Sequence, residues 1–282
     1  MTLNSVVKTI ERFDFLDGVA SSLAGVVGQC VRPRMVRNLL SGTHIGHPLH
    51  PVLTDIPIGA WTMAAFFDLA GTKASEPAAD ALVSVGIAAA IPTAAAGLND
   101  WSDTQGKPRR TGLIHALANG SALCFYVGSV IARRSGSRRL GKALGFAGFG
   151  LVTFGGFLGG HLTYAEAINV NKTADRKGPA KWTAVLDHNG LSDGGHQVVQ
   201  VRGVSVLLHR AGDTIEAIDA LCSHMGGPLE EGTIENGCVT CPWHGSTFKL
   251  ADGSIVRGPA TRPQPSYEVR TSEGQIQIRR AA

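Results

Sequence analysis

Cys222-Ser223-His224-Met225-Gly226-Gly227 and, a short way on, Cys241-Pro242-Trp243-His244-Gly245-Ser246 decide how the last third of this chain is read. Each half offers one thiolate and one imidazole. Gly226, Gly227, Pro228, Pro242 and Gly245 punctuate both halves, so they read as two short loops presented by turns rather than as faces of a helix. Two Cys and two His suffice for one tetrahedral zinc. Zinc ligands, however, ordinarily arrive as a Cys pair and a His pair, whereas each half here is mixed. The mixed pattern suits two metals, one taking both thiolates and the other both imidazoles, with zinc as the alternative.

With this Cys-x-His and Cys-x-x-His spacing at Cys222, His224, Cys241 and His244, the stretch 183–280 resembles the Rieske [2Fe-2S] family. Gly226, Leu229, Gly232, Pro242, Gly245, Phe248 and Gly253 match supporting positions of its ferredoxin-like members. The resemblance implies a [2Fe-2S] cluster with the two cysteines on a buried iron and the two histidines on an outer one, their imidazole edges near solvent. Cytochrome bc-type members carry an extra cysteine in each loop, joined as a disulfide. Gly227 and Trp243 occupy those places here, so no bridge is expected. Phe248 lacks the hydroxyl a Tyr would aim at a ligating sulfur, although Ser246 is placed to donate to a bridging sulfide. Fewer donors stabilise the reduced cluster less, which implies a low-to-middle potential.

The rest of the chain has another character. Of 282 residues, 17% are charged, 36 are Gly, and the formal net charge is +4; mean hydropathy is slightly positive at +0.09. That balance suits a chain that is half membrane. Its Lys and Arg are scattered rather than gathered with aromatics, so nucleic acid is not an expected partner and the lipid bilayer is. Cys30, Cys124 and Cys238, outside the motif, show no disulfide framework. No secretory or twin-arginine leader is read at the start.

From Phe13 to Leu40 apolar residues recur at helical spacing, ending in a basic collar of Arg32, Arg34 and Arg37; residues 1–41 read as an interfacial helical segment. Four apolar runs follow, at about 52–69, 79–98, 112–132 and 143–162, each near the twenty residues that cross a ~30 Å hydrocarbon core. In the last, Gly155, Gly156, Gly159 and Gly160 give small-x-x-x-small spacing for close helix packing. Gly46 to Trp61, with His47-Pro-Leu-His50-Pro and Asp55-Ile-Pro, resembles an uncharacterised bacterial four-helix membrane family over 35–165. Some members are fused to a Rieske domain, and the resemblance implies a bacterial inner-membrane protein without implying an activity.

An even number of spans puts both ends on one side, and His47, His50, His115 and His161 all fall at that membrane face. They form a second candidate cofactor site. Haem b, a quinone-like or proton-handling pocket and plain structural hydrogen bonding are the open readings. Lys and Arg number ten on that side and six on the other, favouring a cytoplasmic C-terminal domain.

Residues 166–182 read as a linker, and 183–282 as strands at 197–201, 204–209, 214–220, 238–240, 266–271 and 275–279. The expected architecture is a four-helix transmembrane bundle at 42–165 followed by a small all-β Rieske-type domain. The function implied is a membrane-anchored carrier of single electrons between a redox partner and an acceptor, which the membrane domain itself could house. A component of a Rieske oxygenase or other oxidoreductase system is the alternative, with a non-catalytic redox-sensing module behind it. No catalytic residue is assigned. A self-contained oxygenase needs a mononuclear iron on two histidines and a carboxylate, and no histidine follows His244.

Overall fold

The structure, a computed structural model, describes residues 3–281. It separates into two compact units, residues up to Pro33 with Pro48–Ile168, and Arg34–His47 with Asn169 onward. The helices are α1 (Leu3–Ile10), α2 (Asp17–Cys30), α3 (Arg34–Ser41), α4 (Leu49–Ala70), α5 (Glu76–Ser102), α6 (Gly106–Arg134) and α7 (Arg138–Tyr164). All but α3 lie in the first unit. Helices α4 to α7 are each long and apolar enough to cross a membrane, which makes this a multi-pass membrane protein. They run past the apolar stretches into polar ends, leaving connections of only 71–75, 103–105 and 135–137.

The helical spacing from Phe13 to Leu40 is not one helix. A 3₁₀ turn at Asp14–Leu16 precedes α2, and the chain breaks before α3 at Pro33, where the proline ring disfavours helical geometry in the residue before it. Arg37, expected in an exposed basic collar, is instead buried on α3.

Helix α4 continues through Pro57, which has no N–H for the carbonyl four residues back. That carbonyl, of Leu53, accepts the Thr93 hydroxyl of α5 instead, at 3.3 Å. A neighbouring helix thus satisfies the freed backbone group, as the absence of water in a bilayer requires.

The hairpins α4–α5 and α6–α7 repeat one another. Adding 65 carries His50, Trp61 and Asp68 of α4 onto His115, Tyr126 and Arg133 of α6. Each pair meets across the bundle: the two His ring centres lie 6.1 Å apart, Trp61 stacks on Tyr126 at 4.1 Å with 9° between planes, and Asp68 forms a buried ion pair with Arg133. The second helix of each hairpin makes room with glycine. Adding 62 carries Gly86 and Gly97 of α5 onto Gly148 and Gly159 of α7. A Cβ on Gly86 would come 2.2 Å from Trp61, on Gly148 3.0 Å from Tyr126, on Gly97 2.7 Å from His50, and on Gly159 3.1 Å from His115. Of the two small-residue rows expected on α7, the one through Gly155 and Gly159 packs on α6, while a Cβ on Gly156 would meet nothing within 4 Å.

In the second unit the strands are β1 (Thr183–Asp187), β2 (His196–Val201), β3 (Val204–Ala211), β4 (Thr214–Asp219), β5 (Thr233–Glu235), β6 (Cys238–Thr240), β7 (Thr247–Lys249), β8 (Ile255–Arg257), β9 (Ser266–Ser272) and β10 (Gln275–Arg280). They form an antiparallel six-stranded sheet, β1-β10-β9-β4-β3-β2, approaching a barrel as β1 nears β2, and a four-stranded meander β5-β6-β7-β8. Strand β3 is covered on both faces. Val204, Val206 and Leu208 enter one core with Ile276 and Ile278, and Leu207 enters the other with Phe248, Val239 and Leu229. Its near-continuous run of aliphatic residues follows from that.

Gly86→Val is predicted to overpack the Trp61–Tyr126 level, at a cost of about 1–3 kcal/mol. The readout is a lowered unfolding midpoint in detergent. Gly150→Val, where a Cβ meets nothing within 4 Å, should leave that midpoint unchanged.

Candidate metal centre

The Cys222 loop follows β4 and the Cys241 loop joins β6 to β7, and both are wound by the same two backbone bonds. Cys222 N–H donates to Gly227 O at 2.9 Å and Gly226 N–H returns to Cys222 O at 2.9 Å; Cys241 N–H donates to Ser246 O at 2.8 Å and Gly245 N–H returns to Cys241 O at 3.1 Å. The residue four after each cysteine must adopt positive φ, and Gly226 and Gly245 do so at 80° and 72°. The winding turns both thiols into the second core, where Cys222 and Cys241 are 1% and 3% exposed.

The thiols share a hydrogen bond. It holds Cys241 down at about 7, aided by the backbone N–H groups of Trp243 and His244. The same bond, together with burial, pushes Cys222 up. Above them the His224 and His244 ring centres are 5.2 Å apart. Burial, then His244 and the charges of Arg37 and Lys172, lower His224 to about 3, so its ring is neutral and carries a lone pair. The solvent edge differs from the expectation. His224 is buried, His244 is half-buried, and exposed Trp243 stands beside it.

Four donors around one tetrahedral ion would lie roughly 3–4 Å from one another. Among the described residues, a three-donor group within 4.8 Å is formed by Glu11, His161 and Glu166, and not by these four. Gly227 and Trp243, the positions that carry the interloop bridge in bc-type proteins, do face each other, a Cβ on Gly227 coming 3.1 Å from the indole. All five cysteines are free thiols.

The loops are held by residues that the motif does not include. Gln264 accepts from Ser223 N–H at 2.8 Å and donates to the carbonyls of Asp219 at 3.0 Å and Leu221 at 2.8 Å. Asp219, fully buried, accepts Leu221 N–H at 2.9 Å and Arg176 Nε at 2.7 Å. Burial pushes its carboxyl above the usual range, against the pull of Arg176 and that N–H. Arg257 Nη1 donates to Gly245 O at 2.8 Å. Asn38 of α3 accepts Gly258 N–H at 2.7 Å, and Ser246 Oγ accepts Ala260 N–H at 3.0 Å. Of the expected linker, Lys172 N–H bonds Ser223 O at 3.0 Å, and with Arg176 this part of the stretch docks on the second unit rather than hanging free. A polar Gln264 between Pro263 and Pro265 was the signal in the sequence.

Of the four membrane-face histidines, the three in the first unit do not form one cluster. His50 and His115 meet as described, whereas His47 falls in the other unit. His161 Nε2 lies 3.6 Å from carboxylate oxygens of both Glu11 and Glu166.

Residues 181–268 match the family model "Rieske [2Fe-2S] domain", and 46–172 match "Predicted membrane protein (DUF2231)". The chain is 36% identical over 73 residues to the anthranilate 1,2-dioxygenase ferredoxin subunit of Burkholderia cepacia, covering 26% of this chain and 68% of that one. It is 37% identical over 89 residues to the 3-phenylpropionate/cinnamic acid dioxygenase ferredoxin subunit of Photorhabdus laumondii, 31% of this chain and 84% of that one. Among solved structures, the ferredoxin of carbazole 1,9a-dioxygenase from Nocardioides aromaticivorans is 27% identical, covering 35% of this chain and 97% of its own, with a TM-score of 0.34. The chain therefore belongs to the Rieske [2Fe-2S] family, with its Rieske-type domain fused to an uncharacterised membrane domain of the DUF2231 family.

Proposed function

We propose that this protein is a membrane-anchored one-electron carrier that serves as a component of an oxygenase or related oxidoreductase system. The observation that carries the reading is that two equally wound loops turn two buried cysteines into one core and set two imidazoles 5.2 Å apart. Cys222 and Cys241 would hold one iron of a [2Fe-2S] cluster and His224 and His244 the other. When bound, a [2Fe-2S] cluster supplies a one-electron couple. The chain's own residues exclude water from the thiols, keep His224 neutral, and fix both loops through Gln264, Asp219 and Arg257. The half-buried His244 edge, flanked by exposed Trp243, is the face for a redox partner. Relatives named as ferredoxin subunits of dioxygenases support a partner outside this chain.

Phe248 offers no hydroxyl, and Gly227 and Trp243 make no bridge, so the midpoint belongs in the lower half of the roughly −150 to +300 mV Rieske range. The excess of Lys and Arg on one side supports an inner-membrane location with the Rieske domain cytoplasmic.

Dithionite-reduced protein is predicted to give a [2Fe-2S] electron paramagnetic resonance signal that Cys222→Ser and His244→Ala abolish; a zinc-loaded, signal-free wild type would refute the reading. Gln264→Leu removes the partners of one N–H and two carbonyls. The expected loss is about 1–3 kcal/mol or more, read as faster cluster release on warming. In intact spheroplasts an impermeant maleimide should label Ser135→Cys and spare Ser192→Cys, and the reverse pattern places the Rieske domain outside.

A further inference from the structure

The bundle's histidine pair has the construction of a ligand site, and we infer that His50 and His115 are the two axial ligands of a haem iron held between the α4–α5 and α6–α7 hairpins. The inference goes beyond the electron-carrier reading and does not depend on the iron-sulfur centre.

Each ring is fixed by its own hairpin. His50 Nδ1 lies 2.9 Å from Thr93 O of α5, and His115 Nδ1 lies 2.8 Å from Gly155 O of α7. A carbonyl only accepts, so both Nδ1 atoms carry the proton and both Nε2 atoms carry the lone pair; the Asn119 amide, which donates to His115 O at 2.8 Å, lies 3.5 Å from His115 Nε2. Metal-binding histidines are prepared in this way, with the second nitrogen orienting the ring and setting its tautomer. The glycine one turn beyond each accepting residue, Gly97 and Gly159, clears space for the ring. Because the two hairpins repeat each other, the same arrangement is built twice and meets itself across the bundle.

The spacing fits one metal between two imidazoles. Two metal–nitrogen bonds of about 2.0–2.1 Å, plus about 1.1 Å from each nitrogen to its ring centre, give roughly 6.3 Å between centres, and 6.1 Å is found. The planes are 87° apart, each set by its own carbonyl.

The donor count then selects the ligand. A bare zinc or iron needs more than two protein ligands. Among the described residues, the three-donor group is Glu11, His161 and Glu166, which includes neither His50 nor His115. Haem brings four equatorial nitrogens of its own and asks the protein only for axial ones. Between this level and the Trp61–Tyr126 stack, the buried residues are Pro57 and Ala60 on α4, Ala118 and Ala122 on α6, Thr93 and Ala96 on α5 and Gly155 on α7, with Val152 and Leu158 the larger ones on α7.

The test uses full-length protein purified in detergent from cells supplied with a haem precursor, followed by titration with hemin. A Soret band with reduced α and β bands is expected, at about one haem per chain by pyridine haemochromogen. His50→Ala and His115→Ala should each lower haem content at least about tenfold, while His161→Ala retains it. Cluster resonance intensity and a monodisperse elution profile serve as controls for folding in all variants. The inference is overturned by a wild type with full cluster signal and no Soret band after hemin addition. Retention of haem in the His50 and His115 variants, or a stoichiometric non-haem metal lost with them, also overturns it. A Soret band without the cluster signal would sustain the haem site and remove the iron-sulfur reading.

Discussion

Turning Cys222 and Cys241, from two separate loops, into one sealed core is the constraint on which the Rieske domain depends. Two thiols from separate loops meet only if both loops wind identically, and the two reciprocal backbone bonds with a left-handed glycine accomplish that. The loops then need walls. Gln264 and the Asp219–Arg176 pair hold the first, and Arg257 holds the second, each at a buried backbone group whose loss of partner is costly. Phe248, Leu229 and Val239 close the apolar floor.

The membrane domain solves a different problem with repetition. Buried polar pairs in a bilayer need partners within the bundle, and the hairpin repeat supplies them by placing equivalent positions opposite one another. At the C-terminal ends of α4 and α6 the pair is ionic, with Arg133 also reaching Asp80 at 2.8 Å and Ser129 at 3.0 Å. In the middle it is the Trp61–Tyr126 stack, and at the other end it is imidazole on imidazole. Glycines on α5 and α7 fit these side chains, which is why so apolar a sequence still specifies one register.

Much of this was legible in the sequence, and for definable reasons. Long apolar runs announced α4 to α7, and alternation announced β2, β3, β4, β9 and β10. The three-residue strands β5, β7 and β8 are too short to carry a period, and β1 sits beside a polar stretch with a shifted register against β10. The hairpin repeat was invisible because it lies in which residues meet, His with His but Trp with Tyr and Asp with Arg, rather than in residue identity. Histidine count alone suggested a single cluster of four, whereas within the first unit the fold pairs His50 with His115 and sets His161 beside Glu11 and Glu166. In the second unit the four donor positions were plain from spacing, while Asp219 ends β4 and Gln264 lies in the loop before β9, far apart in the chain.

The proposed electron carrier requires one cluster with unlike ligands on its two irons, so Mössbauer spectroscopy of the ⁵⁷Fe-enriched full-length protein tests it most directly. Two inequivalent iron sites of equal intensity are predicted in the oxidised state, with one of them alone becoming ferrous on one-electron reduction. A single class of iron, or a protein that carries zinc and no iron, would contradict it.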